Sequence, residues 1–266
     1  MIPVGDSPRS HTTPFVNYAF ILINIVAFVY TLMQPNSIEG SNAQANAEFR
    51  AQTEGVCYGH QAPPTDADRF VCERAFQPAE WLDAAQGDYE PEEGRMEVLF
   101  TIVTAMFLHG GWLHIIGNLL FLWVFGDNVE DRLGHLGYLL FYMFAGIMAT
   151  LVQTATDPDS LIPVLGASGA VAGVLGAYIL YYPRATVNVV IPFFILIFIP
   201  IPIPAFIMIG IWFLQNLVSG YATIASAAEP GGGTAWFAHI GGFIVGLLVA
   251  ALFRGRKPRP APRWER

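Results

Sequence analysis

Long apolar runs separated by polar stretches dominate the pattern of this 266-residue chain. Six of these runs approach or exceed the length that crosses about 30 Å of hydrocarbon. They cover residues 15–33, 112–125 with an apolar extension upstream to 99, 136–155, 161–182, 189–218 and 236–253. The pattern predicts an all-α polytopic membrane protein with six transmembrane helices.

Two of the runs are irregular. The second is short for a span, so residues 98–108 either lengthen its helix or form an interfacial piece that leads into it. The fifth contains four prolines between Pro192 and Pro204. Because proline removes a helix donor, we expect the continuous helix of this run to begin near Pro204 and to cover about 15 residues.

The first run has some features of a secretory signal peptide, since Ala43-Gln44-Ala45 resembles a cleavage site. Its apolar core, however, is longer than the usual signal core of about 7 to 15 residues. Residues 34–42 also separate the run from that site. The pattern therefore favours an uncleaved transmembrane helix.

Composition agrees with a membrane protein. Hydrophobic residues make up 54% of the chain, charged residues 13%, and the mean hydropathy is +0.47. The net charge of -8 hides an asymmetry, because the acids cluster in residues 34–98 and the bases in residues 254–266. We expect a short segment 1–14, a six-helix domain 15–253 with a large acidic loop at 34–98, and a basic tail 254–266.

The basic residues near the spans predict the orientation. With both termini in the cytoplasm, nine basic residues lie inside and only four lie outside. The inner ones are Arg9, Arg132, Arg184, Arg254, Arg256, Lys257, Arg259, Arg263 and Arg266; the outer ones are Arg50, Arg69, Arg74 and Arg95. The outer loop also holds the two cysteines, Cys57 and Cys72, which form either a structural disulfide or two free thiols.

Polar side chains occur at similar depth in three of the spans. Spans two, four and six all run from outside to inside, and they carry His114 with Asn118, Ser168, and His239. Each residue alone fits helix packing or an interfacial position. Together they predict a site, because burying several polar groups in hydrocarbon is unfavourable. We place Ser168 about seven residues below the start of span four, and assign His109 and His135 to loop or interfacial positions.

Small residues indicate how spans four and six meet. Gly169 with Gly173, and Gly242 with Gly246, are pairs that let membrane helices approach closely. Close approach brings Ser168 within reach of His239, as a base-activated nucleophile requires. Gly166 and Gly169 leave room beside the serine for a substrate carbonyl. No acid lies inside these helices, and the nearest fall in loops, so the residues predict a Ser/His dyad.

Three motifs resemble those of the rhomboid intramembrane serine proteases. They are HGGWLHIIGN at 109–118, GASG at 166–169 and AHIGGFIVG at 238–246. Their order and spacing are similar to the six-helix rhomboid core over residues 15–253. GASGA differs from the GxSxG elbow of α/β-hydrolases, since Ala170 occupies the place of the last glycine.

The resemblance implies a rhomboid-like six-helix bundle that hydrolyses peptide bonds in or near transmembrane segments of membrane-protein substrates. It implies Ser168 as nucleophile, His239 as general base, and His114 and Asn118 at the oxyanion hole with the Ser168 amide. It also implies lateral substrate access beside the fifth helix. The glycine-rich loop at 228–236 is then a mobile cap or an ordinary connector.

The sequence departs from the family pattern at two points. Ala172 stands where some members place a tyrosine that stacks on the catalytic histidine, so another ring or none supports His239. The Trp-Arg pair that some members carry before the second-helix motif is missing, so the first loop is anchored differently. Neither change removes a residue of the proposed chemistry.

Other functions fit the residues less well. A noncatalytic rhomboid-like protein that binds or escorts membrane clients would not need both Ser168 and His239. A transporter built on inverted repeats would show similar halves and paired midplane charges, and neither is found. The polar cluster offers two histidines without a carboxylate or thiolate at ligand spacing, so we expect no metal, no cofactor and no nucleic-acid partner. Short loops predict a prokaryotic plasma membrane, with the site opening to the outer side of the lipid bilayer.

Overall fold

The computed structural model of the chain describes residues 2–34, 70–71, 73–88, 94–190, 200–225 and 234–255. These residues form helices and one small antiparallel sheet. The helices are α1 (Phe15–Leu32), α2 (Pro78–Gln86), α3 (Arg95–Thr104), α4 (Trp112–Leu133), α5 (His135–Thr156), α6 (Ser168–Tyr181), α7 (Ala205–Ala225) and α8 (Trp236–Leu252). The strands are β1 (Ile2–Ser7), β2 (Thr186–Val190) and β3 (Ile201–Pro204).

Four of the helices are long and apolar enough to cross a membrane: α1, α4, α5 and α7. Two more, α6 and α8, are equally apolar but only 14 and 17 residues long. The chain is therefore an integral, polytopic membrane protein. The count of six spans depends on the two shorter helices and stays a prediction.

Helix bounds agree closely with the predicted apolar runs where polar residues or a proline flank the run. The helices α1, α5 and α8 begin and end within one residue of the predicted limits. The predicted start near Pro204 is confirmed, because α7 begins at Ala205. This helix is 21 residues long, longer than predicted, because it continues past the apolar run to Ala225.

Residues 98–108 do not lengthen the second span. They belong to α3 and to a short tight turn at Ala105–Phe107, and α4 starts separately at Trp112. Gly110 and Gly111 lie in the intervening break. Of the two predicted alternatives, the structure therefore has the second, a separate piece that leads into the span.

The predicted start of span four is wrong. Residues 161–167 are not helical, and α6 begins only at Ser168. Pro163 lacks a backbone donor, and Gly166 has a positive φ of 120°, which a helix does not allow. Ser168 is consequently the first residue of its helix rather than one buried about seven residues along it.

The sheet departs from the all-α prediction. It has the order β1-β2-β3, with β2 antiparallel to both neighbours. The outer strands contain prolines, namely Pro3, Pro202 and Pro204, whereas the central strand has none. Proline cannot donate to a ladder, so it is tolerated only at an edge. The sheet follows the C-terminal end of α6 and so lies at the opposite end of that helix from Ser168.

The helix α6 is the centre of the bundle. Every residue from Gly169 to Tyr178 is buried, so this helix is covered on all sides by protein. The helices α1 and α7, in contrast, expose many large apolar side chains, as expected for surfaces that face lipid. A central helix of this kind holds its first residue, Ser168, in a fixed place.

Polar groups cluster at the end of α6 that is far from Ser168. The acids predicted to lie in a loop after span two, including Asp127 and Glu130, instead belong to the last turns of α4. Glu130 is fully buried, and its carboxylate accepts hydrogen bonds from the backbone N–H groups of Val16 and Asn17 at 3.0 and 2.7 Å. These N–H groups begin α1 and have no partner inside their own helix. The acid thus joins α4 to the start of α1.

Asp6 of β1 joins the same cluster and is expected to make stability depend on pH. Tyr178 and Asn128 donate hydrogen bonds to its carboxylate, at 2.5 and 2.9 Å. Burial raises the pKa of Asp6 from 3.8 to about 6, against these hydrogen bonds. The folded chain therefore holds this proton at pH values where the unfolded chain has lost it. Stability is expected to fall as pH rises from about 4 through about 6.

An Asp6→Asn variant tests this expectation, because it cannot ionise. Its thermal unfolding midpoint in detergent, followed by tryptophan fluorescence, should decline less between pH 4.5 and 7 than that of the wild type. Asp159→Asn, at an exposed loop position, is the matched control and should follow the wild type. Equal declines in the wild type and in Asp6→Asn would contradict the role of Asp6.

Candidate active site

Ser168 and His239 form a hydrogen-bonded pair. The Ser168 Oγ lies 2.7 Å from His239 Nε2, across the contact between α6 and α8. Because Ser168 is the first residue of α6, the backbone N–H groups around it have no partners within the helix. The N-terminus of a helix also favours negative charge. The serine hydroxyl thus has both a basic neighbour and nearby amide donors.

The first turn of α8 holds His239. The side-chain Oε1 of Gln153, on α5, accepts a hydrogen bond from the Ala238 N–H at 3.2 Å. This contact satisfies one of the free donors at the start of α8. His239 follows directly and is only 8% exposed. This hydrogen bond thus joins α5 to the turn of α8 that carries the ring.

Glycines allow α6 and α8 to meet backbone against backbone. A Cβ atom at Gly242 would overlap the carbonyl oxygen of Gly169, and one at Gly246 would overlap that of Gly173. A Cβ atom at Gly169 would lie 2.6 Å from the Cβ of Ala149 on α5. The small-residue pairs of the sequence thus lie in one helix contact. This contact holds Ser168 and His239 within hydrogen-bond distance.

His114 lies on the other side of Gly166. A Cβ atom at Gly166 would lie 2.6 Å from His114 Nε2 and 3.7 Å from Ser168 Oγ. This glycine, which has no Cβ, therefore lets the His114 imidazole lie against the loop that precedes Ser168. Its N–H donates to the carbonyl of Ala105 at 2.8 Å, which fixes the loop in place.

Asn118 lies one turn after His114 on α4 and is buried. Its Nδ2 has no hydrogen-bond partner among the described residues. The ring centroid of the buried His109 is 5.0 Å from that of His114. Burial and the neighbouring His114 lower the pKa of His109 to about 4. His109 lies in the loop between α3 and α4, where the sequence predicted a loop or interfacial position, and it is a buried neighbour of the site.

Sequence reasoning missed two side chains of α7. The Oδ1 of Asn216 lies 2.6 Å from His239 Nδ1, and the ring centroid of Trp212 lies 5.8 Å from that of His239. Trp236 approaches the same ring edge-on at 6.2 Å. The tryptophans supply the rings that Ala172 does not. A buried asparagine in an apolar run was the available signal for Asn216.

Two predictions concern residues outside the described ones. The pair Cys57 and Cys72 is one, and most of the glycine-rich loop at 228–236 is the other.

A small cavity within the described residues opens beside Ser168. Its lining includes Met106, Thr150 and Ala238. It has room for about one water-sized group next to the hydroxyl.

Several known proteins are similar to the chain. It is 30% identical over 175 residues to the mitochondrial rhomboid protein 1 of Saccharomyces cerevisiae, and this alignment covers 62% of the chain and 46% of the yeast protein. It is 29% identical over 163 residues to the rhomboid protease AarA of Providencia stuartii, and this alignment covers 56% of the chain and 54% of AarA. Rhomboid-like protein 11 of Arabidopsis thaliana, a chloroplast protein, is 42% identical over 81 residues, which are 30% of the chain and 29% of the Arabidopsis protein.

The chain thus spans less than two thirds of the length of each of these relatives. A family model, the rhomboid domain, matches residues 96–256. This range is more than half of the chain and contains α3 after its first residue and all of α4 to α8, with all three motifs of the resemblance. The chain belongs to the rhomboid family.

Proposed function

We propose that the chain is an intramembrane serine endopeptidase that hydrolyses peptide bonds in or near transmembrane segments of membrane proteins. The observation that carries this proposal is the 2.7 Å contact between Ser168 Oγ and His239 Nε2. A hydroxyl is a weak nucleophile unless a neighbouring base takes its proton. Here the base lies within hydrogen-bond distance, in a protein whose relatives include rhomboid proteases.

The reaction proceeds in two stages. Ser168 Oγ attacks the carbon of the scissile carbonyl while its proton passes to His239 Nε2. The tetrahedral intermediate then collapses, the C–N bond breaks, and His239 returns the proton to the leaving amine. In the second stage His239 accepts a proton from water as the water oxygen attacks the acyl-enzyme carbonyl. The ester C–O bond then breaks, His239 returns the proton to Ser168 Oγ, and the new carboxylic acid leaves.

The oxyanion of each intermediate needs hydrogen-bond donors. Support for His114 as one donor comes from its Nε2, which lies against Gly166, two residues before Ser168. Support for Asn118 comes from its buried Nδ2, which has no partner among the described residues. The backbone N–H of Ser168, at the start of α6, is the third proposed donor. His109 lies behind His114 and supports its ring.

Substrates approach this site from the bilayer. The exposed apolar side chains of α7, among them Phe206 and Leu214, fit a helix that faces lipid beside the site. We orient the chain with both termini in the cytoplasm, on the distribution of its basic residues. The starts of α4, α6 and α8 then face the outer side. The prokaryotic plasma membrane stays a prediction from the sequence, because the relatives include mitochondrial and chloroplast proteins.

Reaction with a fluorophosphonate probe tests the proposed chemistry. The purified, detergent-solubilised chain should be labelled at Ser168, because the probe reacts with activated serines. A rhomboid protease of known activity serves as the positive control. If the folded chain stayed unlabelled while the control reacted, the proposal would fail, and a noncatalytic role in binding membrane clients would take its place.

Asn118→Ala is expected to lower kcat for a transmembrane substrate by about 10² to 10³-fold, with little change in KM, because an oxyanion donor acts only in the transition state. The measurement is cleavage of a fluorescent transmembrane substrate in proteoliposomes. Asn24→Ala, at a buried asparagine of α1, is the control and should retain the wild-type kcat. An unchanged kcat in Asn118→Ala would remove this residue from the oxyanion hole.

A further inference from the structure

The buried asparagine of α7 contacts the catalytic histidine on the side opposite Ser168. Asn216 is 3% exposed, and its Oδ1 lies 2.6 Å from His239 Nδ1. Its Nδ2 donates to the backbone carbonyl of Trp212, one turn earlier in α7, at 2.7 Å. Each end of the amide therefore has a partner of its own.

These two contacts fix the orientation of the amide. A backbone carbonyl can only accept a hydrogen bond, so the NH₂ group of Asn216 must face Trp212. The carbonyl oxygen of the amide then faces His239 Nδ1. Because this oxygen can also only accept, the hydrogen of the neutral imidazole must be on Nδ1.

The position of this hydrogen also determines the protonation state of the other ring nitrogen, Nε2. A neutral imidazole with its hydrogen on Nδ1 has a lone pair on Nε2. That lone pair faces Ser168 Oγ at 2.7 Å, so the hydroxyl donates to it. This tautomer is the one that a general base for Ser168 requires.

We propose that Asn216 is a positioning residue that selects this tautomer and completes a Ser168–His239–Asn216 triad. The inference rests on the proposed function and extends the dyad predicted from the sequence. As His239 takes the serine proton, the Asn216 oxygen keeps the Nδ1–H hydrogen bond and stabilises the ring in place. The helix α7 is therefore part of the catalytic apparatus and not only a lipid-facing wall.

A purely structural role is the competing explanation, since a hydrogen bond between α7 and α8 also joins two membrane helices. Three variants separate the two roles. Asn216→Leu keeps the number and branching of the side-chain heavy atoms but removes the acceptor, and Asn216→Ala removes both. Asn216→Asp keeps an acceptor for Nδ1 but buries a carboxylate, which is unfavourable for packing alone.

The experiment measures kcat, KM and the pH profile of transmembrane-substrate cleavage in proteoliposomes. Asn216→Leu and Asn216→Ala should lower kcat by about 10²-fold with KM little changed, since the residue acts through the base and not on substrate. Asn216→Asp should retain more activity than Asn216→Leu. Its acidic limb should move to higher pH, because a carboxylate stabilises the imidazolium. The other titratable side chain that interacts with His239 within the described residues is His114 of α4.

Asn24→Leu provides a matched control. Asn24 is a buried asparagine of α1 whose Nδ2 donates to the carbonyl of Phe20 one turn earlier, as Asn216 does to Trp212. This variant should retain the wild-type kcat and pH profile. It reports what the same substitution does to a helix away from the site.

The outcomes separate the inference from the proposed function. If the wild type cleaves and Asn216→Leu cleaves equally well, or cleaves better than Asn216→Asp with an unmoved pH profile, Asn216 is only structural and the triad is overturned. If the folded wild type neither cleaves nor reacts with a fluorophosphonate, the proposed function fails first. Loss in Asn216→Leu with recovery and a shifted profile in Asn216→Asp supports the triad.

Discussion

Ser168→Ala and His239→Ala are each expected to abolish cleavage, with kcat lower by about 10⁶-fold. Removing the hydroxyl removes the atom that forms the acyl-enzyme, and removing the imidazole leaves the hydroxyl without a base at 2.7 Å. Nucleophile and base act as one unit, so losing either costs about as much as losing both. The double variant should therefore be no less active than the single ones. Cleavage of a reconstituted transmembrane substrate measures all three.

Two controls make this result specific. Ser10→Ala and His11→Ala change the same residue types at the opposite end of the bundle, where Ser10 donates to Asp127 at 3.0 Å. Both should cleave at the wild-type rate. Thermal unfolding in detergent shows whether each inactive variant is folded. Wild-type cleavage by a folded Ser168→Ala protein would overturn the proposed nucleophile and, with it, the proposed function.

The apolar pattern predicted most helices because hydrocarbon imposes a length on each span. The bounds of α1, α5 and α8 follow directly from it. The start of α6 does not, because Gly166 takes a left-handed φ within an otherwise apolar run. Hydropathy indicates whether a segment favours hydrocarbon or water, and it does not report the backbone conformation of that segment. The sheet was also missed, since Ile2 pairs with Val190, and no local pattern reports a partner so distant along the chain.

The candidate site was predictable where reactive residue types lie at helix ends that the order of the spans places on the same side of the membrane. Ser168, His239 and His114 lie at the starts of helices that run in the same direction, and topology alone predicts that such ends are close. Asn216 was missed because α7 runs in the opposite direction, and its polar residue lies in mid-helix. Its role depends on the rotation of α7 about its axis, which brings Asn216 toward α8. A hydropathy pattern does not determine that rotation.

Gly242→Ala is expected to have the second largest effect, on both stability and catalysis. The new methyl group would overlap the backbone carbonyl of Gly169, which no side-chain rearrangement can relieve. The helices α6 and α8 must move apart, at a cost of about 3 kcal/mol or more, at the upper end of overpacking effects. This movement lengthens the contact between Ser168 and His239. The unfolding midpoint and kcat should fall together.

Two further variants show why the effect depends on position. Gly246→Ala meets the carbonyl of Gly173 in the same way, but one turn further from His239. It should destabilise the fold by a similar amount and lower kcat less. Gly210→Ala, on α7, meets nothing within 4 Å and should change neither quantity appreciably. Equal kcat in Gly242→Ala and the wild type would show that this close contact between α6 and α8 is not what holds the base against its nucleophile.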